Sequence, residues 1–174
     1  ANDAEVPVIT RGAGSGLSGG AVPVDGGIVL ALAGMDRLLE IDLANGVAVV
    51  EPGVITADLQ ARVEEDGLFF PPDPASADQS TIGGNIATNA GGTRGVKYGM
   101  TRDYVKSLTV VLADGKRLEL GGRMLKNATG YQLLHLFVGS EGTLGVITQA
   151  TLKLIPLPRF RRTAVGFFPT LESA

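Results

Sequence analysis

Apolar positions along this chain fall into short runs and alternations, which points to strands more often than helices. Ile28 to Leu32 is a continuous apolar run of buried-strand type, and Val6 to Thr10 is a shorter strand before it. Leu38 to Asp42 and Val47 to Glu51 flank Ala44-Asn45-Gly46. Asn-Gly between two β segments predicts a hairpin, because both residues tolerate the positive φ of a tight turn. Leu108 to Ala113 and Arg117 to Leu120 repeat the pattern around Asp114-Gly115. Val146 to Leu154 and Thr163 to Phe168 also alternate well enough for strands.

Helical signals are fewer. Thr56 is a suitable N-cap for a helix over Ala57 to Asp66 stopped by Gly67, with Leu59 and Val63 four apart on the core side. Thr81 to Thr88 reads as a short helix whose N-terminal amides point at a ligand, and Gly130 to Phe137 as another short helix. Phe70-Pro71-Pro72-Asp73-Pro74 can be neither helix nor central strand and forms a rigid extended link. Ala1 to Glu5 resembles a last helical turn, and Pro169 to Glu172 a first one, so both ends read as severed inside an element. The class is α+β, with two subdomains meeting near residue 105.

Glycine changes this picture. It supplies 25 of 174 residues, concentrated in three blocks rather than in a period. These are Gly12 to Gly20, Ser80 to Gly92, and Gly139 to Ile147, and Glu141 is the one charged side chain among them. Glycine lets main-chain amides approach a ligand closely, and the interspersed Ser, Thr and Asn add neutral hydrogen bonds. Three such blocks suit a long ligand such as a dinucleotide. A plainer alternative stands beside each: a tight connection, close helix packing, or, for Glu141, a turn carboxylate.

Charge and composition narrow the function. With 15 Lys and Arg against 18 Asp and Glu, the net charge is −3 without a basic run, which argues against nucleic acid as a partner. No cysteine is present, which removes disulfides, thiolate metal sites and cysteine nucleophiles and fits a reducing, cytoplasmic setting. His135 is the one histidine, so a metal centre or a Ser-His hydrolase is not expected, and His135 itself reads as a surface or packing residue. No apolar run reaches the roughly 20 residues that span a bilayer. Arg94, Lys97 and Arg102 read as a solvated face or structural ion pairs. Lys126-Asn127 sits on a loop before the last short helix, where a place near flavin or substrate is a secondary reading.

Gly14-Ser15-Gly16-Leu17-Ser18-Gly19 matches the dinucleotide fingerprint G-x-G-x-x-G, yet Pro23, Gly26 and Gly27 forbid the helix that a Rossmann turn must open. The loop can still cradle phosphate as a nest of consecutive amides.

The chain resembles the flavoprotein superfamily of vanillyl-alcohol oxidase and p-cresol methylhydroxylase. Four stretches carry the likeness: Arg11 to Gly20; Ser80 to Asn85; Lys97-Tyr98-Gly99-Met100-Thr101-Arg102-Asp103-Tyr104-Val105; and Leu136 to Gly145. Within the superfamily it is most similar to the glycolate oxidase FAD subunit and to D-lactate and D-2-hydroxyglutarate dehydrogenases. The resemblance implies a two-subdomain, PCMH-type FAD-binding domain over residues 1–169, truncated at both ends. A substrate or cap domain would begin at 170–174, and a strand and helix would precede Ala1.

By that resemblance Gly12, Ala13, Gly14, Ser15, Gly16, Leu17 and Ser18 cradle the FAD diphosphate. Pro74, Ala75, Ser76, Ser80 and Thr81 line the cofactor path. Gly84, Asn85, Thr88, Asn89, Ala90 and Gly91 meet the ribityl chain, diphosphate or ring edge. Glu141, Gly145, Val146 and Ile147 hold adenosine and neighbouring atoms, and Pro52, Gly53 and Val54 close over the adenine. The implied activity is oxidation of a small 2-hydroxyacid, with hydride passing to the flavin and the proton-accepting base outside this chain. Companion subunits and peripheral membrane association are further implications. Two positions depart from the family. Ser15 and Gly16 stand where covalent members carry His, so FAD is expected to bind non-covalently, and Gln132 replaces a frequent Asp after Gly130-Tyr131.

Overall fold

A computed structural model of the chain describes residues 1–124, 126 and 128–173. After a single 3-10 turn at Asn2–Ala4, strand β1 (Val8–Arg11) is followed by the first glycine block and then β2 (Ile28–Ala31). The hairpin β3 (Leu38–Asp42) and β4 (Val47–Val50) leads into helix α1 (Thr56–Glu65), β5 (Leu68–Phe69), α2 (Ile82–Thr88) and α3 (Gly95–Tyr98). Strands β6 (Val105–Val111) and β7 (Arg117–Gly121), helix α4 (Leu134–Phe137), β8 (Val146–Lys153) and β9 (Ile155–Pro156) complete the order.

Three sheets form among the described residues, the smallest an antiparallel pair of β5 and β9. β3, β4, β8, β6 and β7 form a five-stranded antiparallel sheet in that spatial order, and β1 with β2 forms a separate parallel pair. The large sheet takes strands from both sides of residue 105. Parallel pairing obliges the β1–β2 connection to run back along the strands, and glycine-rich chain rather than a helix makes that return.

The core lies on the face of the large sheet covered by α1 and α2. Leu59 and Val63 of α1 and Ile82 and Ile86 of α2 pack with Ala48, Val50, Leu108, Val110 and Leu152, all nearly inaccessible to solvent. Phe70 is fully buried and meets Tyr104 edge to face at 6.0 Å. The extended Phe70–Pro74 link is held by Gln60, whose Nε2 donates to the carbonyls of Phe70 and Pro72 at 3.2 and 2.7 Å.

Both predicted hairpins form. Asn45 donates its backbone N–H to Asp42 Oδ1 ahead of Gly46 at φ 60°, and Gly115 turns at φ 82°. Four expectations are corrected. Ile28 to Leu30 form a strand, but every residue of β2 is exposed rather than buried. Ile55 rather than Thr56 is the N-cap of α1, and Thr56 is buried inside the first turn, its Oγ1 donating to Ser80 O. Helix α4 covers only Leu134–Phe137, because Gly130 takes φ 73° and 131–133 turn. Thr163 to Phe168 pairs with no strand, and Leu171–Ser173 is a 3-10 turn.

One ion pair ties the sheets' connection to the core. Glu51, almost buried at the end of β4, receives bonds from Arg37 Nη2 at 2.7 Å, Nε at 3.1 Å and backbone N at 2.9 Å. These hydrogen bonds, the guanidinium's first, hold the Glu51 carboxyl below the usual range. A carboxylate with a lowered folded-state pKa stabilises the fold above its unfolded pKa and loses that contribution as pH falls through the folded value. Arg37→Ala is therefore expected to destabilise at neutral pH. Its deficit against the parent should shrink as pH drops below about 4.3, the ordinary glutamate value, when followed by urea unfolding across pH.

Candidate functional site

The three glycine blocks meet at one cleft. It opens beyond the carboxyl ends of β1 and β2, the end at which ligands gather on parallel strands. Thr10, Gly12 and Leu32 come from those strand ends, the first block supplies one rim, α2 the floor, and Glu141 to Ile147 the far wall.

Helix α2 anchors the assembly through main chain. At its start Ile82 N–H donates to Val54 O at 2.9 Å, Gly83 N–H to Pro52 O at 2.8 Å, and Gly84 N–H to Thr81 Oγ1 at 3.3 Å. These amides have protein partners, so the expectation that this N-terminus offers free donors to a ligand is corrected. At the other end Gly139 and Glu141 donate their N–H groups to Ile86 O and Ala87 O at 2.9 and 2.8 Å, joining the third block to the helix. Asn89 closes it in the left-handed region at φ 49° and accepts from Arg102 N–H on Oδ1 at 3.0 Å.

Side chains inside the second block are tied inward. Asn85 Nδ2 donates to Thr56 Oγ1 at 2.7 Å, and Thr56 Oγ1 also lies 2.9 Å from Ser80 Oγ. Thr88 Oγ1 donates to Gly84 O at 3.0 Å. Several glycines allow close contact between a block and a neighbouring segment. A Cβ on Gly12 would overlap Thr81 Oγ1, one on Gly83 would lie 2.6 Å from Pro52 Cβ, and one on Gly142 2.5 Å from Thr10 Oγ1.

The first block is different. Among the described residues, no backbone N–H from Gly12 to Ser18 donates a hydrogen bond within the protein. Gly14 takes φ 75°, and a Cβ on Gly16 would meet nothing within 4 Å. Seven consecutive unpaired donors on an open, side-chain-poor rim are the features of an anion cradle. Glu141, itself at φ 56°, is the only ionisable side chain lining the cleft, and its Oε2 accepts from Ser18 Oγ at 3.4 Å.

Of the residues expected at the site, Gly12, Ala13, Gly14, Ser15, Gly16 and Ser18 line the cleft, as do Pro52, Pro74, Ser76, Ser80 and Thr81. So do Gly84, Asn85, Thr88, Ala90, Glu141, Gly145 and Ile147. Leu17 points fully into solvent. Gly53 lies under the carbonyls of Leu32, Ala33 and Met35, and Val54 is buried in the core. Ala75, Asn89 and Gly91 stand beside lining residues, and Val146 lines a neighbouring groove between the N-terminal segment and the β6–β7 turn. Sequence reading missed Thr10, Leu32, Gly83, Ala87, Gly142 and Gly19 to Val22. The carboxyl-end position of Thr10 and Leu32 was the available signal for those two.

Other candidates lie elsewhere. Arg94 pairs with Asp73 at 3.2 Å and lies over the Phe69 ring, and Lys97 lies over Tyr98. His135 lines a separate cavity with Tyr131 and Gln132. Asn127 lies outside the described residues. Among the described residues no group of three His, Cys, Asp or Glu side chains gathers to hold a metal, and no helix is long and apolar enough to cross a membrane.

Residues 1–121 match the FAD binding domain family. The chain belongs to that family. The glycine cradle fits the cofactor, because its free amides suit a diphosphate that no lining cation would hold. The FAD-binding domain is 52% identical to the glycolate oxidase subunit GlcD of Bacillus subtilis over 97% of this chain and 36% of that protein. It is 52% identical to a D-lactate dehydrogenase of Archaeoglobus fulgidus over all of this chain and 39% of that protein. A D-2-hydroxyglutarate dehydrogenase of Stutzerimonas stutzeri shares 47% identity over 99% of this chain and 37% of its own length. Among solved structures, an alkyldihydroxyacetonephosphate synthase superposes with TM-score 0.79 at 32% identity, over 92% of this chain and 31% of that one. The chain thus spans well under half the length of these relatives, and its fold is the PCMH-type FAD-binding fold.

Two substitutions separate packing from ligand roles. Gly12→Ala should lower the thermal midpoint of the apoprotein, since its Cβ collides with Thr81 Oγ1, whereas Gly16→Ala should leave that midpoint within error and weaken FAD binding instead. Asn85→Ala should cost about 1–3 kcal/mol in chemical denaturation, because it leaves a buried hydroxyl network short of a donor.

Proposed function

We propose that this FAD-binding domain holds FAD non-covalently for the oxidation of a small 2-hydroxyacid of the glycolate or D-lactate type. The observation that carries this reading is the 52% identity, over nearly the whole chain, to proteins named glycolate oxidase subunit and D-lactate dehydrogenase. The cleft is consistent with it. Among the described residues Glu141 is its one ionisable lining side chain, held by Ser18 Oγ at 3.4 Å, and in this reading the domain's own contribution is binding and orientation.

When bound, FAD supplies the electron acceptor for the substrate's C–H bond. The amides of Gly12 to Ser18 bind its diphosphate. Pro74, Ala75, Ser76, Ser80 and Thr81 line the path beside them. Gly84, Asn85, Thr88, Asn89, Ala90 and Gly91 border the ribityl and ring portion. Glu141, Gly145, Val146 and Ile147 hold the adenosine side, with Pro52, Gly53 and Val54 closing behind it. This reading assigns substrate and the proton-accepting base outside residues 1–169, because it gives Glu141, the carboxylate that lines the cleft, to the adenosine side. A second reading, a flavin-binding companion subunit without turnover, is favoured by the word subunit in the name of one relative.

Anaerobic titration of the full-length protein distinguishes these. Glycolate, D-lactate and D-2-hydroxyglutarate are added in turn while the visible flavin band is followed. Bleaching by at least one acid is expected, with the 174-residue chain alone retaining FAD but oxidising little or nothing. A flavin that stays oxidised with all three acids, in a protein that retains FAD, would remove the 2-hydroxyacid reading in favour of the companion subunit.

A further inference from the structure

The cleft has an unbalanced charge. Among the described residues its only ionisable lining residue is Glu141, and the ligand assigned to it carries an anionic diphosphate. The cradle of amides supplies partial positive charge only, through aligned N–H dipoles. A full positive charge nearby has to come from a side chain that does not line the cleft directly.

Arg11 is that side chain. It ends β1, between the lining residues Thr10 and Gly12, and its guanidinium folds back over the loop it precedes. Nε and Nη2 each lie 3.0 Å from where a Cβ on Gly14 would stand, so the guanidinium occupies the space that a side chain there would fill. Gly14 is thereby required twice, by its φ of 75° and by Arg11. Arg11 is exposed, and among the described residues its guanidinium has neither an ion-pair nor a hydrogen-bond partner. Arg94 pairs with Asp73, the residue before the lining Pro74, and is already neutralised by it.

We infer that Arg11 supplies the counter-charge for the cofactor's diphosphate, holding its guanidinium against Gly14 so that amides and cation act on the same anion. This inference rests on FAD occupying the cleft. A guanidinium left without a carboxylate at the edge of an anion cradle keeps its full donor set for phosphate oxygens, and its fork geometry suits them better than an ammonium would.

The test measures binding, not turnover. Dissociation constants for FAD and for ADP and adenosine as competitors are determined by flavin fluorescence for the parent protein, Arg11→Gln and Arg11→Lys, with apoprotein thermal midpoints recorded alongside. Charge-assisted hydrogen bonds predict that Arg11→Gln weakens FAD and ADP by about tenfold or more and adenosine by little, with Arg11→Lys between. Added salt should weaken FAD binding in the parent more than in Arg11→Gln.

Equal affinities for FAD and ADP in parent and Arg11→Gln would overturn the inference, as would a loss that extends equally to adenosine. If Arg11→Gln does not fold, salt sensitivity of the parent together with retained binding in Arg11→Lys supports the inference, and a salt-insensitive parent overturns it. A folded parent that binds no FAD defeats both this inference and the cleft assignment beneath it, an outcome distinct from the others.

Discussion

Main-chain hydrogen bonding at both ends of α2 is the constraint on which the rest of the structure depends. Its first amides are taken by carbonyls of the Pro52–Val54 loop, and its last carbonyls by amides of the third glycine block. A seven-residue helix has little stability of its own, so these external partners define its position. The partners approach so closely because the intervening positions lack side chains: Gly83 against Pro52, Gly12 against Thr81 and Gly142 against Thr10. The glycine blocks are therefore first a packing device, drawing three distant segments to one helix.

That packing leaves a particular remainder. Several donors and acceptors around the cleft are satisfied internally: Asn85 by Thr56, Thr56 and Ser80 by each other, Thr88 by Gly84, Glu141 N–H by Ala87. Buried polar groups without partners are costly, so a fold satisfies them wherever it can. By contrast, the run from Gly12 to Ser18 lies on an open rim where water can serve the amides until a ligand replaces it. A ligand that brings several acceptor oxygens to that rim gains bonds without breaking any protein contact.

Much of this was legible in the sequence, and the misses share a cause. Asn45-Gly46 and Asp114-Gly115 announced their hairpins because turn chemistry is local, and Leu59 with Val63 announced the buried face of α1 by spacing alone. The glycine blocks were visible as composition. Which of their glycines touch protein and which face the cleft was not visible, because that depends on partners dozens of residues away. Thr56 illustrates the same limit. Its residue type suits an N-cap, but Ser80 captures its hydroxyl from another segment and moves it into the core. Ile28 to Leu30 has a buried-strand pattern, yet burial needs a covering layer that residue pattern cannot reveal. Thr163 to Phe168 alternates, but a strand exists only where a partner pairs with it.

Specificity in such a cleft follows from what the protein withholds. With the side-chain donors of Asn85, Thr56 and Thr88 committed within the protein, selection rests on wall shape, on the spacing of the first block's amides and on charge at the two ends of that block. There Ser18 reaches Glu141 while Arg11 lies against Gly14. Glu141 disfavours an anion placed beside it and Arg11 favours one placed beside Gly14, so a diphosphate has a preferred station along the loop rather than a diffuse basin. A lysine-lined groove would attract phosphate at any point along its length and over a Debye distance of about 10 Å. Amides act only at hydrogen-bond range, which converts weak attraction into position. Position is what a cofactor domain must supply, since an atom that exchanges electrons with a substrate held elsewhere has to be presented at one place. The near-neutral, glycine-built cleft is suited to that task because little in it competes with the geometry of its main chain.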